Sequence, residues 1–166
     1  MAARRLILAG AAATLLAGCG FQLRQAPNFA FSSIYVATPA GSSLTKELRR
    51  SIGSADKVRM IEDPAAQAQA QVVLDVLGEQ REKVVVGLTP TGQVREFQLR
   101  MRFRFRLRTP QGKELIPETE LLQQRDISFN ESAVLAKEAE ENLLYRDMQT
   151  DIVQQLMRRL AAVQTI

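Results

Sequence analysis

Hydrophobic and polar residues alternate with a period of two along residues 94–108, VREFQLRMRFRFRLR. One parity is apolar and consists of Phe97, Leu99, Met101, Phe103, Phe105 and Leu107. The other parity carries an arginine row, which consists of Arg100, Arg102, Arg104, Arg106 and Arg108. Because successive side chains of a strand point to opposite faces, this pattern predicts a long strand with one apolar and one cationic face. At about 3.4 Å per residue, the arginine row would be roughly 27 Å long.

Two more long strands are predicted before and after this segment. Residues 72–86, VVLDVLGEQREKVVV, predict a strand in which Gly78 is typical of a bulge or bend. Residues 114–128 predict a weaker strand, because Pro117 cannot donate a hydrogen bond to a neighbouring strand. The turn sequences GLTPTG and TPQGK separate the three strands, so the segment predicts a meander.

Two segments have the spacing of amphipathic helices. In residues 43–52 apolar residues recur every four positions, and a serine before them can cap the first turn. In residues 135–163 the apolar stripe consists of Leu144, Met148, Ile152, Leu156, Leu160 and Val163. Shorter apolar runs at residues 31–38 and 57–61 predict a first strand and a short second one.

The predicted fold class is α+β, an α/β sandwich with a mixed four- to five-stranded sheet. Two amphipathic helices would pack on one face of the sheet, because each helix must bury its apolar stripe against another apolar surface. The apolar parity of residues 97–107 would face these helices. The arginine row would then face outward, toward solvent or a partner.

The arginine row has two interpretations. If Thr109 pairs with Lys113, three arginines lie opposite acids, in the pairs Arg108–Glu114, Arg104–Glu118 and Arg102–Glu120. The same register places Arg100 and Arg106 opposite apolar residues. The strand alone favours an ordinary solvated face, in which each cross-strand ion pair contributes only about 0.2–1 kcal/mol. The alternative is that the uncompensated arginines bind an anion, such as a phosphate-bearing lipid or a nucleic acid.

Composition excludes several kinds of site. The chain has 166 residues, which fits one domain with short extensions, and its 46% hydrophobic content is sufficient for a core. Histidine is absent and Cys19 is the only cysteine, which excludes His-dependent triads, His-ligated metal sites and an internal disulfide. The formal charge is only +4, so the global charge gives no argument for a nucleic-acid partner.

The N-terminal residues have the pattern of a secretory signal. Two arginines precede an apolar segment at residues 6–16, which is shorter than the roughly 20 residues of a bilayer-spanning helix. The next residues, LAGC, resemble the bacterial lipobox, which implies removal of residues 1–18 and lipidation of Cys19. Gly20 stands where aspartate would signal inner-membrane retention, which resembles the sorting pattern of outer-membrane lipoproteins. More than one acyl chain on the cysteine suffices for stable anchoring, since each buried methylene contributes about 0.8 kcal/mol.

The order of several motifs resembles the LptE family of lipopolysaccharide-assembly lipoproteins. The sequence CGFQLR at residues 19–24 is similar to the opening of these proteins. The strand REFQLRMRFRFRLR and a turn with Gly112 follow in the family's order. The last similar segment has an aromatic residue, a Leu-Ala-Lys helix start, paired acids and a helical aspartate, at Phe129, Leu135-Ala136-Lys137, Glu140-Glu141 and Asp151.

The resemblance implies both a role and an organisation. The chain would be an outer-membrane lipoprotein that faces the periplasm, plugs and assists assembly of the large β-barrel LptD, and helps deliver lipopolysaccharide to the outer leaflet. Residues 1–18 would be a removed signal, 19–30 the lipidated cysteine and an extended arm, and 31–166 a single periplasmic α/β domain. Candidate lipopolysaccharide contacts are the basic residues Arg100, Arg102, Arg104 and Arg106. No cofactor is expected besides the acyl chains on Cys19, and neither a metal site nor a nucleic-acid partner.

Two alternatives stay open from the sequence. The first is a stand-alone periplasmic lipoprotein that binds an anionic glycolipid without a barrel partner. The second is a glycosidase, in which Asp75, Glu118 and Glu120 would supply a carboxylate pair separated by about 5–10 Å. Nothing in the pattern marks these three acids as more than residues of a strand face, so we favour the non-enzymatic role.

Overall fold

The computed structural model describes residues 28–38, 41–55 and 57–166. The predicted signal segment and the predicted lipidation site Cys19 lie outside the described residues. Within the described part, no helix is both long enough and apolar enough to cross a membrane.

The described chain forms one five-stranded sheet and two α-helices. The strands are β1 (Ser33–Ala37), β2 (Arg59–Ile61), β3 (Val72–Leu88), β4 (Val94–Arg108) and β5 (Glu114–Ser128). The helices are α1 (Ser43–Gly53) and α2 (Val134–Ala161), and short 3₁₀ turns span Pro64–Gln69 and Glu131–Ala133. The strand order is β2-β1-β3-β4-β5, with β1 parallel to β2 and β3 and the three long strands antiparallel. The predicted α+β fold with a mixed sheet is therefore confirmed.

Both helices form where the apolar spacing predicts them. The side chain of Ser42 caps α1 by accepting a hydrogen bond from the Thr45 amide at 2.9 Å. The buried stripe of α1 consists of Leu44, Leu48 and Ile52. Helix α2 starts one residue earlier than expected, at Val134, and buries Met148, Ile152, Leu156 and Leu160 as predicted. Leu144 of the same stripe is only partly buried.

The main core lies between the sheet and the two helices, and a smaller buried cluster of Tyr35, Ala70 and Val73 lies on the opposite side of the sheet. From β4 the main core receives Leu99, Met101, Phe103, Phe105 and Leu107, each of which is 0% exposed. The rings of Phe103 and Phe105 stack with their centroids 6.0 Å apart. Each fully buried apolar side chain of this size contributes about 1.5–3 kcal/mol, so this strand supplies a large share of the core's stability.

A bulge at Gly78 changes which side chains of β3 face the helices. Val76 pairs with Phe105, but Gly78 pairs with Arg104, so β3 has one extra residue at this point. Because strand side chains alternate, the extra residue switches the parity of β3. Beyond the bulge, Glu79 and Arg81 lie on the helix side instead of the arginine side. The prediction of a bulge at Gly78 is confirmed.

The predicted register of β4 with β5 is wrong beyond the turn. Arg108 pairs with Glu114 as expected, but Arg104 lies opposite Glu120 instead of Glu118. Strand β5 gains one residue at each of two register shifts, on either side of the pair between Leu107 and Ile116. Two single-residue shifts restore the original parity, so the acids of β5 stay on the arginine side although their register partners change.

The burial of Phe103 gives a test of this core. We expect Phe103→Ala to lower the free energy of unfolding by about 3–5 kcal/mol, because it leaves a cavity between sheet and helices. Urea denaturation followed by circular dichroism measures the change. Leu135→Ala is the matched control, since Leu135 is 82% exposed and its loss should change stability by less than about 0.5 kcal/mol. Equal effects of the two variants would contradict the described core.

Candidate anion-binding face

The outward side chains of β3, β4 and β5 form a mostly polar surface, which includes the exposed Val84 and Leu122 and which we call the arginine face. Its centre is the arginine row of β4, as the alternation predicts. The arginine side chains are partly accessible, with exposed fractions of 33% for Arg102, 53% for Arg104 and 44% for Arg106. Their guanidinium groups can therefore reach a ligand or a partner surface.

Two arginines of this face pair with acids of β5 along diagonals. Arg102 Nη1 lies 3.0 Å from Glu120 Oε1, and Arg104 Nη1 lies 3.3 Å from Glu118 Oε1. In the strand register, however, Arg104 is directly opposite Glu120. The expected ion pairs thus form in spite of the shifted register, because long side chains reach diagonal neighbours. Glu82 of β3 adds a weaker contact, 3.6 Å from Arg102 Nε.

Asp75 of β3 holds the other end of the arginine row. It accepts hydrogen bonds from Arg106 Nε at 2.7 Å and from Arg108 Nε and Nη2 at 2.8 and 3.2 Å. Its side chain is only 13% exposed. Burial acts to raise the pKa of the Asp75 carboxyl, but the hydrogen bonds and charges of Arg108 and Arg106 outweigh it, so the pKa lies below 3.8.

The acids therefore neutralise more of the row than the sequence indicated. Arg106 was expected to lack an acid, and Asp75 corrects that expectation from the other neighbouring strand. Arg100 has no carboxylate within ion-pair distance in the described part of the chain, and its Nε donates to Gln98 Oε1 at 2.8 Å. The period-two pattern of VVLD, combined with the meander, contained the signal that would have placed Asp75 on this face.

The helix side of the part of β3 that follows Gly78 contains a polar network that was not predicted from the sequence. Arg81 Nη2 donates to Ser43 Oγ and to Gln149 Oε1, both at 3.2 Å, and its guanidinium lies 5.3 Å from the Tyr145 ring centroid. Ser42 Oγ also donates to Glu79. The network attaches the distal half of the meander to both helices, because the bulge at Gly78 turns these charged side chains inward.

A second group of contacts between β3 and α2 lies closer to the start of the helix. Lys83 Nζ lies 2.6 Å from Glu141 Oε2 and 4.4 Å from the Phe97 ring centroid. The Phe97 ring meets Phe129 edge to face, with centroids 5.3 Å apart. Together these residues border a small pocket of about 70 Å³ between the sheet and α2. The size of this pocket suits packing contacts more than a ligand.

The acids considered for glycoside hydrolysis are engaged in ion pairs. Asp75 binds two arginines, while Glu118 and Glu120 each bind one. Across the described ranges, no three Asp, Glu, His or Cys side chains are grouped closely enough to hold a metal ion. The arrangement can bind and orient charged groups, but its carboxylates serve as partners of the arginines.

The family model described as LptE: Lipopolysaccharide-assembly matches residues 29–160. The chain belongs to the LptE family. It is 27% identical over 160 residues to LPS-assembly lipoprotein LptE of Pectobacterium atrosepticum, covering 95% of this chain and 84% of that protein. LptE of Yersinia enterocolitica is 27% identical over 161 residues, covering 95% and 75%. The predictions of the family and of a non-enzymatic lipoprotein are therefore confirmed by these LptE relatives.

Solved structures share the fold of this LptE-family chain. Lipoprotein B from Nitrosomonas europaea has a TM-score of 0.73 and 34% identity, covering 86% of this chain and 91% of that one. The rare lipoprotein B from Shewanella oneidensis has a TM-score of 0.65 at 22% identity, covering 78% and 94%. The second likeness supports the fold alone. The candidate contacts Arg100, Arg102, Arg104 and Arg106 stay predictions, as does lipidation of Cys19.

The depressed pKa of Asp75 predicts a specific acid sensitivity. Because its folded-state pKa is below the ordinary 3.8, its contribution to stability is present above that pH and is lost as the pH falls through the folded-state value. Asp75→Asn should lower the free energy of unfolding by about 1–2 kcal/mol at neutral pH and by less in acid. Urea denaturation of both proteins at pH values from neutral to below 3.8 tests the expectation.

Asp126→Asn is the control for that experiment. Asp126 lies on the same face and accepts a hydrogen bond from the uncharged Gln98 side chain at 3.0 Å. Its loss removes the same charge without breaking a described ion pair, so the effect should stay within about 0.5 kcal/mol. A pH-independent loss in Asp75→Asn would contradict the role assigned to the ion pairs.

Proposed function

We propose that this LptE-family chain is an outer-membrane lipoprotein that plugs the LptD β-barrel, assists its assembly and helps deliver lipopolysaccharide to the outer leaflet. Cys19 would carry the acyl chains that anchor it on the periplasmic side. Family membership supports the general role in lipopolysaccharide assembly. The observation that carries the plug is the arginine face, a long polar sheet surface that neither helix covers.

The chemistry of the arginine face suits the interior of a barrel. Large outer-membrane barrels have apolar outer surfaces and polar interiors. The arginine face offers both charges, because the arginine row is accompanied by Asp75, Glu82, Glu118, Glu120 and Asp126. Strands of 15–17 residues would extend this surface for about 50 Å. A rigid surface with balanced charges can match polar side chains of a lumen without a large excess charge.

Binding of lipopolysaccharide is supported by the partly accessible guanidinium groups. Arginine can hold a phosphate with two parallel hydrogen bonds, and each such charged bond is stronger than a neutral one. Arg100 lacks a described acid partner, and Arg104 makes only one exposed ion pair. Exposed pairs contribute about 0–1 kcal/mol, so a phosphate can replace the carboxylate at small cost.

A stand-alone glycolipid-binding lipoprotein is the competing function. It would use the same arginine face but would need no protein partner. The charge balance of the face favours the plug, because the acids among the arginines would weaken the attraction for a free anion. The two functions differ in whether the protein is isolated with a barrel.

Purification of the tagged, lipidated protein from detergent-solubilised outer membranes tests the plug. We expect a very large β-barrel to accompany it at equal stoichiometry, identified by mass spectrometry. A tagged lipoprotein of another family is the control for nonspecific retention. If the protein stays alone under mild detergents, the plug is wrong and glycolipid binding becomes the leading function.

Neutralising the centre of the arginine face tests lipopolysaccharide binding. We expect Arg102→Gln combined with Arg104→Gln to weaken binding about tenfold or more, because two charged donors are lost. Binding of purified lipopolysaccharide to the variant can be measured by isothermal titration calorimetry. The matched control is Arg158→Gln with Arg159→Gln, which removes the same charge from two exposed residues of α2. Unchanged binding by the first variant would rule out this part of the face.

A further inference from the structure

The bulge at Gly78 leaves a depression in the arginine face, which we call the Gly78 notch. Its borders are Gly78, Glu79, Gln80, Arg102, Arg104 and Glu120. The volume is about 240 Å³, several times the roughly 30 Å³ that one water molecule takes up in the liquid. The next outward positions of β3 carry the long polar residues Gln80 and Glu82, whereas Gly78 has no side chain. The missing side chain leaves the notch.

The guanidinium of Arg104 presents an unused edge to the Gly78 notch. Its Nη2 and Nε atoms lie 3.4 and 3.5 Å from the place where a Cβ of residue 78 would be. Only Nη1 has an acceptor within the described ranges, which is Glu118 Oε1 at 3.3 Å. The Nε–Nη2 edge is the fork of two parallel donors that matches two oxygens of a phosphate.

A second cation lies beside this fork. Arg102 is two residues away on the same face, and Gln80 is directly opposite it in the register. Arg102 Nη1 is hydrogen-bonded to Glu120, whereas the 3.6 Å contact of its Nε with Glu82 is longer than a hydrogen bond. The acids thus hold both guanidinium groups in place. Glu120, which pairs with Arg102, is 40% exposed and Glu118, which pairs with Arg104, is 58% exposed, so solvent weakens their competition with a ligand.

We propose that the Gly78 notch binds a phosphomonoester of a lipid headgroup. The Nε–Nη2 edge of Arg104 would donate two hydrogen bonds to it, and Arg102 would supply the second positive charge. A phosphomonoester carries about −1.5 to −2 charges at pH 7. One such group can therefore balance the charges of both arginines at once, whereas each carboxylate balances only one. The inference rests on the proposed lipopolysaccharide binding and names the chemical group and the subsite. Gly78 acts as a positioning residue, because a side chain larger than a methyl group there would displace the fork.

Three variants of the lipidated protein in detergent test the notch. Gly78→Leu fills it and should weaken binding of diphosphoryl lipid A about tenfold. Gly78→Ala should bind within about twofold of the unchanged protein, since a Cβ at 3.4 Å makes only ordinary contact with a flexible side chain. Gly53→Leu is the matched control, because a Cβ at Gly53 meets nothing within 4 Å.

Arg104→Lys keeps the result interpretable if Gly78→Leu does not fold. Lysine retains the charge but lacks the planar fork, so binding should again weaken about tenfold. Circular dichroism and the thermal midpoint Tm establish that each variant is folded. The probes are diphosphoryl lipid A, the same lipid with its phosphates removed, and inorganic phosphate.

The outcomes separate the notch from the proposed function. Loss of affinity in Gly78→Leu and Arg104→Lys for the phosphorylated lipid, with equal weak binding of the dephosphorylated lipid by all variants, supports the notch. If the unchanged protein binds lipopolysaccharide and both variants bind it equally well, the notch is wrong and the proposed function stands. If the unchanged protein binds none, both the notch and the proposed lipopolysaccharide binding are wrong. If inorganic phosphate binds as tightly as the lipid, the site recognises free phosphate and the lipid assignment is overturned.

Discussion

The alternation of side chains along β4 is the constraint on which the rest of the structure depends. Its five fully buried apolar residues must face the helices, which forces the arginines to the opposite side. A strand cannot move one set without moving the other, because both are fixed by the same backbone pleat. The helices, the core and the polar face are therefore arranged around this one strand.

The neighbouring strands adapt to β4 through their irregularities. One extra residue in β3 at Gly78 turns Arg81 and Lys83 toward the helices, where Gln149 and Glu141 receive them. Without that residue, both cations would lie beside the arginine row, where like charges repel. Strand β5 has two such steps, which cancel in parity and keep Glu118 and Glu120 among the arginines. The bulges thus distribute charge between the two faces.

Periodicity predicted the long strands and both helices because burial on one face leaves a clear signal. The bulge at Gly78 was also predictable, since glycine within a strand is typical of one. The register of β5 with β4 was not predictable. Turn geometry sets only the first pairs, and Pro117 does not indicate how many residues of β5 bulge out of the pairing. The contact of Asp75 with Arg106 was not predicted either, because Asp75 belongs to β3 and the predicted ion pairs joined β4 only to β5. Contacts across distant segments, such as Arg81 with Gln149, leave no local pattern at all.

Strand β5 is the long edge of the sheet, and its acids have an effect beyond their pairs with arginines. An open edge of 15 residues can template pairing with another copy of the same strand. If two copies aligned antiparallel about Leu122, Glu118 of each would face Asp126 of the other. Like charges directly opposite each other disfavour that alignment. Glu118, which also holds Arg104, therefore combines with Asp126 to disfavour aggregation through this edge in that alignment.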